Sequence, residues 1–104
     1  MSDKRLERID RRIDRIKAQL NGLQDMRPGS LTRQYKDPKT RSGPYYQLSY
    51  TLDMKSRTEY IRRECVGDIR RQIRNYKRFK RLSGAWIAQS IERSRLAMKL
   101  GRGR

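Results

Sequence analysis

The chain has 104 residues, of which 28 are Lys or Arg and 11 are Asp or Glu, so its formal net charge is +17. It contains no His and one Cys, which excludes Ser-His and Cys-His catalysis and leaves the usual zinc and haem sites without ligands. There is no apolar run long enough for a transmembrane helix, and residues 1–25 are charged throughout, unlike a secretory signal. We therefore expect a cytoplasmic or nucleoid-associated protein, without enzymatic activity or cofactor, that binds polyanions and no membrane.

Residues 1–25 have the clearest helical periodicity in the chain. Their apolar side chains recur in alternating steps of three and four residues, the spacing of a coiled-coil seam; they are Leu6, Ile9, Ile13, Ile16, Leu20 and Leu23. Ser2 is the expected N-cap, and the helix should end before Pro28. Because so short a helix is unstable alone, the seam should pack against the C-terminal helix or against a second copy of the chain.

Residues 27–62 are predicted to form a small antiparallel sheet of two or three strands. A strand near 30–35 is followed by a polar loop at 36–42, and an aromatic strand at 45–51 returns over 57–61. Because side chains alternate between the faces of a strand, Tyr46, Leu48 and Tyr50 share one face, which we expect to be core. Tyr45 lies on the other face and is a candidate contact for nucleic acid.

Residues 63–100 return to helical periodicity and carry most of the excess charge. Residues 61–104 hold 14 basic and 3 acidic side chains. Ile87, Ile91 and Met98 continue the apolar face that begins at Val66. Gly84 is expected to bend or break the helix, and residues 101–104 to form a flexible cationic tail.

The densest basic stretch, from Ile69 to Arg81, contains no acidic residue. Like charges on neighbouring helical turns repel, and phosphates bound to them would remove that repulsion. The predicted phosphate-binding residues of this helix are Arg70, Arg71, Arg74, Lys77, Arg78 and Arg81. Secondary contacts are predicted from the loop and hairpin residues Lys36, Lys39, Arg41, Tyr45 and Arg57.

The segment Gly43-Pro44-Tyr45-Tyr46-Gln47-Leu48-Ser49-Tyr50, followed by a basic helix, resembles a family of small uncharacterised bacterial and archaeal proteins that is defined as a domain of unknown function. The resemblance covers residues 27–92. Members of that family often carry a Cys cluster before the Gly-Pro element, whereas residues 36–42 of this chain contain no Cys. The resemblance therefore implies neither a metal site nor an activity.

Taken together, these patterns predict an α+β fold with an N-terminal amphipathic helix (1–25), a small antiparallel sheet (27–62) and a long basic helical segment (63–100). The predicted function is non-catalytic binding of nucleic acid, with duplex DNA ahead of RNA. The alternative is an interaction or scaffold protein, of a mobile-element or phage accessory type, whose basic helix docks on an acidic protein or a ribonucleoprotein. Because so small a core is marginal, we expect a homo-oligomer, with a dimer favoured.

Overall fold

The computed structural model describes residues 3–101. In chain order it contains helix α1 (Lys4–Asn21), strands β1 (Ser30–Asp37), β2 (Ser42–Leu52) and β3 (Lys55–Ile61), a short 3₁₀ turn (Arg63–Cys65) and helix α2 (Val66–Lys99). This arrangement confirms the predicted α+β fold, with three strands in the sheet. None of the helices in the described range combines the length and the apolar composition that crossing a membrane requires.

The chain divides into two compact units. The helical unit combines the N-terminal segment up to Leu23 with the chain from Arg78 onwards, and the sheet unit comprises Gln24–Lys77. The boundary at Lys77 falls inside α2, so the two units share this helix. Of the predicted cationic tail, residues 102–104 lie outside the described residues.

The sheet unit is built on the central strand β2, which pairs antiparallel with β1 and with β3. Leu48, in the middle of β2, is fully buried and is the centre of the core. The other buried members of this core come from the end of β3 and the first turns of α2; they are Ile61, Val66, Ile69 and Ile73. Tyr46 and Tyr50 pack half-buried against it, as the alternation along β2 predicts.

In the helical unit, α1 begins at its N-cap Asp3, whose carboxylate accepts a hydrogen bond from the backbone N–H of Arg5 at 2.7 Å. The cap expected from the sequence, Ser2, lies outside the described residues. Ion pairing joins α1 to α2, because Arg93 Nε donates to Asp10 Oδ1 at 2.5 Å.

The apolar seam of α1 faces the interior of the helical unit. Leu6, Ile9 and Ile13 are buried, and the seam becomes half-buried towards its C-terminal end at Ile16, Leu20 and Leu23. Helix α2 contributes the buried residues Leu82 and Ala97 to the same unit. The seam therefore has a partner within the chain.

Of the bend or break expected at Gly84, the break does not occur: α2 runs without interruption from Val66 to Lys99. A single glycine costs a helix only about 1 kcal/mol relative to alanine, and burial of side chains such as Leu82 offsets a cost of that size. A Cβ at position 84 would have no atom within 4 Å, so no close contact requires glycine here.

Candidate nucleic-acid interface

Three of the predicted phosphate-binding residues line one cleft in the sheet unit. Arg70, Arg74 and Lys77 project from α2 beside the start of β1, and with Gly29, Ser30, Leu31 and Ile73 they enclose about 280 Å³. We call this the β1 cleft. The three cations are exposed, and none of them forms an ion pair with another residue in the range 3–101. No acidic residue lines the cleft, so its charge is available to an anion.

The segment that precedes β1 is fastened to α2 by two hydrogen bonds to backbone atoms. Asn75 Nδ2 donates to the carbonyl oxygen of Asp25 at 2.9 Å, and the backbone N–H of Arg27 donates to the carbonyl oxygen of Gln72 at 3.1 Å. These bonds hold the chain against the same helix that supplies the cations. The wall of the cleft formed by residues 29–31 is thereby fixed.

The Arg27 guanidinium interacts with side chains of the sheet and is therefore not a free cation. It forms an ion pair with Glu59 on β3 and lies 5.1 Å from the centroid of the Tyr50 ring. Its hydrogen bond to Glu59 lowers the pKa of that carboxyl below its usual value of 4.5, and the same bond raises the pKa of Arg27. The sequence alone does not distinguish Arg27 from the exposed arginines.

Because the pKa of Glu59 is lower in the folded chain than in the unfolded one, the ion pair stabilises the fold above about pH 4.5 and stops doing so as the pH falls below that value. We expect Glu59→Gln to lower the free energy of unfolding by about 0.5–1 kcal/mol at pH 7, since the pair is partly exposed. The difference between the two proteins should shrink between pH 5 and pH 3. Urea unfolding across this pH range measures it, and a difference that stays constant would contradict the assigned role of the ion pair.

Gly29, at the base of the cleft, adopts a backbone φ of +124°, which only glycine enters easily. A Cβ at this position would lie 2.6 Å from the carbonyl oxygen of Ser49 on β2. The close approach brings the segment before β1 directly against the central strand. Glycine is therefore required at the point where the chain enters the sheet.

The other helical bases do not share the β1 cleft. Arg71 lines a different depression, with Gln24, and forms an ion pair with Asp68 at 2.9 Å. Arg78 and Arg81 belong to the helical unit, where Arg78 Nη2 donates to Gln19 Oε1 at 3.3 Å. The sequence places all six residues on one helix. Residues on different sides of that helix, however, lie beside different segments of the chain.

Of the five predicted contacts in the hairpin, three lie at the connection between β1 and β2; we call Lys36, Lys39 and Arg41 the basic turn. Lys36 is exposed near the end of β1, and Lys39 and Arg41 lie in the turn between β1 and β2. Tyr45 and Arg57 are both predicted secondary contacts, and they lie on opposite faces of the sheet, because Arg57 is paired with Tyr50. The two predicted contacts would therefore be made from different faces of the sheet.

A second basic groove, in the helical unit, was not predicted. It encloses about 420 Å³ over an apolar floor of Ile9 and Leu96, and Glu92 is its one acidic lining residue. We call it the helical groove; its cations are Arg5, Arg8, Arg12, Arg95 and Lys99. The spacing of the three α1 arginines, in steps of three and four, is the sequence signal that could have revealed it.

An apolar face of α2 is exposed in the helical unit, although the sequence predicts that it is packed. Ile87 is 61% exposed and Met98 59%, and with Trp86 and Ile91 they border a shallow groove of about 620 Å³. This face is exposed because α1 covers only the other side of α2, on which Leu82 and Ala97 are buried. Lys17 of α1 reaches the edge of this face, with Nζ 5.2 Å from the centroid of the Trp86 ring.

A family model described as a domain of unknown function (DUF6788) matches residues 6–71, more than half of the chain. The chain belongs to the DUF6788 family. The DUF6788 match begins in α1, includes the whole sheet and ends in α2, so its bounds differ from the 27–92 of the resemblance seen in the sequence. No curated protein and no solved structure matches the chain significantly.

The DUF6788 match includes Arg70, the loop bases and the wall of the β1 cleft, whereas Arg74 and Lys77 follow it. Within residues 3–101, no group of three or more His, Cys, Asp or Glu side chains could hold a metal ion.

Proposed function

We propose that this protein binds nucleic acid without catalysing a reaction on it, with duplex DNA ahead of RNA, and that the β1 cleft makes the main phosphate contacts. The observation that carries the proposal is the cleft itself, where Arg70, Arg74 and Lys77 lie together, with no acidic residue in the lining and no ion-pairing partner among residues 3–101. Such a group of cations is stabilised when phosphates neutralise it. If the protein binds DNA, we expect it to be located in the cytoplasm, at the nucleoid.

The basic turn supplies the secondary contacts of the proposed interface. Lys36, Lys39 and Arg41 lie in the same unit as the cleft and are exposed. Two of the cations in the cleft are arginines, whose planar guanidinium can donate two hydrogen bonds to one phosphate. The Gly43-Pro44-Tyr45-Tyr46 segment opens β2 directly after this turn, and we propose that it is the conserved signature by which the hairpin is recognised in the family.

The salt dependence of binding tests this proposal. If the three cations of the cleft and the three of the basic turn each contact a phosphate, log K for a random-sequence duplex should fall with log[salt] at a slope of about −5. Fluorescence anisotropy of a labelled duplex between 50 and 300 mM NaCl measures the slope. A slope shallower than about −2 would overturn the proposed set of contacts.

The alternative occupant of the same cations is an acidic protein or a ribonucleoprotein. Polyglutamate is a simple acidic competitor without the geometry of a phosphate backbone. We expect it to displace the labelled duplex only at a charge concentration well above that of unlabelled DNA. Equal competition at equal charge would favour the scaffold function.

Self-association is a second proposed property, and the exposed apolar face of α2 supports it. Ile87, Ile91 and Met98 are separated by four and seven residues, as on one face of a helix that packs against another, and their neighbours Ala88 and Ser90 carry no charge. Arg95 is the one charged residue that lines the groove beside this face, so two copies of a protein with a net charge of +17 would meet there with less repulsion than at its basic surfaces. We therefore propose that this face, rather than the α1 seam, joins two copies into a coiled-coil-like dimer.

A further inference from the structure

The sheet has one face that α2 does not cover. On the covered face lie Leu31 and Leu48, which are cross-strand neighbours, whereas the alternate positions of all three strands point to the open side. From residue 30 to residue 34 of β1, from 45 to 51 of β2 and from 56 to 60 of β3, this open face carries no charged side chain. That is unusual in a chain in which 38% of the residues are charged.

Within these stretches the open face consists of groups that form hydrogen bonds but carry no charge, and Lys36 is the next side chain of β1 on this face. Its central row is Thr32, Gln47 and Tyr60, with Gln34 and Tyr45 in the next row, and the remaining positions are Ser or Thr. The side-chain amide of Gln47 forms no hydrogen bond to any residue in the described range.

The other polar side chains of the open face use only part of their hydrogen-bonding capacity. Gln34 Nε2 donates to Thr32 Oγ1 at 3.3 Å, which leaves the carbonyl oxygen of this amide free. Tyr60 is 67% exposed, and its ring centroid lies 6.4 Å from that of Tyr45. Amide and hydroxyl groups on this face are therefore available to a ligand.

The dimensions and the surroundings of this face match a DNA groove. Neighbouring strands are about 4.8 Å apart, so three strands span about 10 Å, and the major groove of B-DNA is about 12 Å wide. The cations of the β1 cleft lie on α2 beside the start of β1, and the basic turn lies at the other end of this strand. Cations at the border and neutral hydrogen-bonding groups in the middle correspond to the phosphates and the base edges of a duplex.

We propose that the open face of the sheet enters the major groove of duplex DNA and that Gln34 and Gln47 read base edges there. This inference rests on the proposed function and adds sequence recognition to it. A glutamine amide can donate to N7 and accept from N6 of the same adenine, so the expected preference is for adenine at the contacted positions. The Tyr45 and Tyr60 rings provide the apolar contact that a thymine methyl group prefers.

The test is a selection of bound sequences from a pool of random duplex DNA, followed by affinity measurements on the enriched duplex and on a scrambled duplex of equal composition. Gln47→Ala and Gln34→Ala should each lower the ratio of the two affinities roughly 5- to 150-fold. The salt slope should not change, because neither amide contacts a phosphate. Gln24→Ala, an exposed glutamine outside the sheet, is the matched control and should leave the ratio as it is.

The outcomes separate this inference from the proposed function. A pool that shows salt-dependent binding but no enrichment, or a ratio that neither glutamine variant changes, overturns the base reading and leaves phosphate binding in place. Binding of the enriched sequence as a single strand more than tenfold tighter than as a duplex also overturns it. If no duplex binds at any salt concentration, the proposed function itself fails.

Discussion

Replacing Arg70, Arg74 and Lys77 together with glutamate is expected to weaken binding to a random-sequence duplex at least about 100-fold at 0.1 M salt. Each lost phosphate contact no longer releases a counterion, and at this salt concentration that release contributes nearly a factor of ten in affinity. The salt slope should change at the same time from about −5 to about −3, because half of the proposed contacts are removed. Anisotropy titrations at several salt concentrations measure both quantities.

The matched control for this variant is the triple replacement Arg8, Arg12 and Arg95 to glutamate in the helical groove. It changes the net charge by the same amount, at cations that the proposal does not use. We expect only a few-fold loss of affinity and an unchanged slope, because the proposal gives these three cations no phosphate contact and hence no counterion release. If the control weakens binding as much as the cleft variant does, net charge explains the effect, and the β1 cleft is not the site.

Gly29→Ala is expected to lower the free energy of unfolding by about 3 kcal/mol or more, the largest effect of a single methyl group that the structure predicts. The residue would have to keep a φ of +124° or rotate out of it. The new Cβ would also approach backbone atoms of β2, which cannot move without disturbing the sheet. Urea unfolding followed by circular dichroism measures the change, and nucleic-acid affinity should fall with it because the wall of the cleft is displaced.

Gly67→Ala is the control for Gly29→Ala in the same unit. Gly67 lies in the first turn of α2, and a Cβ there would have no atom within 4 Å. Since alanine favours a helix over glycine by up to about 1 kcal/mol, this variant should be as stable as the unmodified chain or slightly more stable. A loss at position 67 similar to that at position 29 would show that the argument from backbone geometry is wrong.

The sequence predicts those parts of the fold that depend on neighbouring residues. The three-and-four spacing from Leu6 to Leu23 predicts α1, and the alternation around Leu48 predicts both β2 and the face that is buried. Gly84 fails as a helix breaker because its small local cost competes with tertiary packing, which the sequence pattern does not contain.

The candidate site depends more on pairing and packing between distant segments. Arg70 and Arg71 are neighbours in sequence, yet only Arg70 lines the cleft, because the position of β1 determines which side of α2 faces the cleft. The separation of Tyr45 from Arg57 depends on strand register, and the ion pair of Arg27 joins residues that are 32 positions apart. None of these relationships is visible in local periodicity or composition.

The hydrogen bonds that hold residues 25–27 against α2 affect the free energy of ligand binding. The Asn75 and Arg27 hydrogen bonds and the Glu59 ion pair all join residues of the chain itself, so the fold holds the wall of the cleft in place. Binding then does not have to order a backbone segment, a cost of about 1–2 kcal/mol per residue when a loop must be fixed. The backbone is ordered once, during folding, and a bound ligand would have to order only the exposed side chains of the cations.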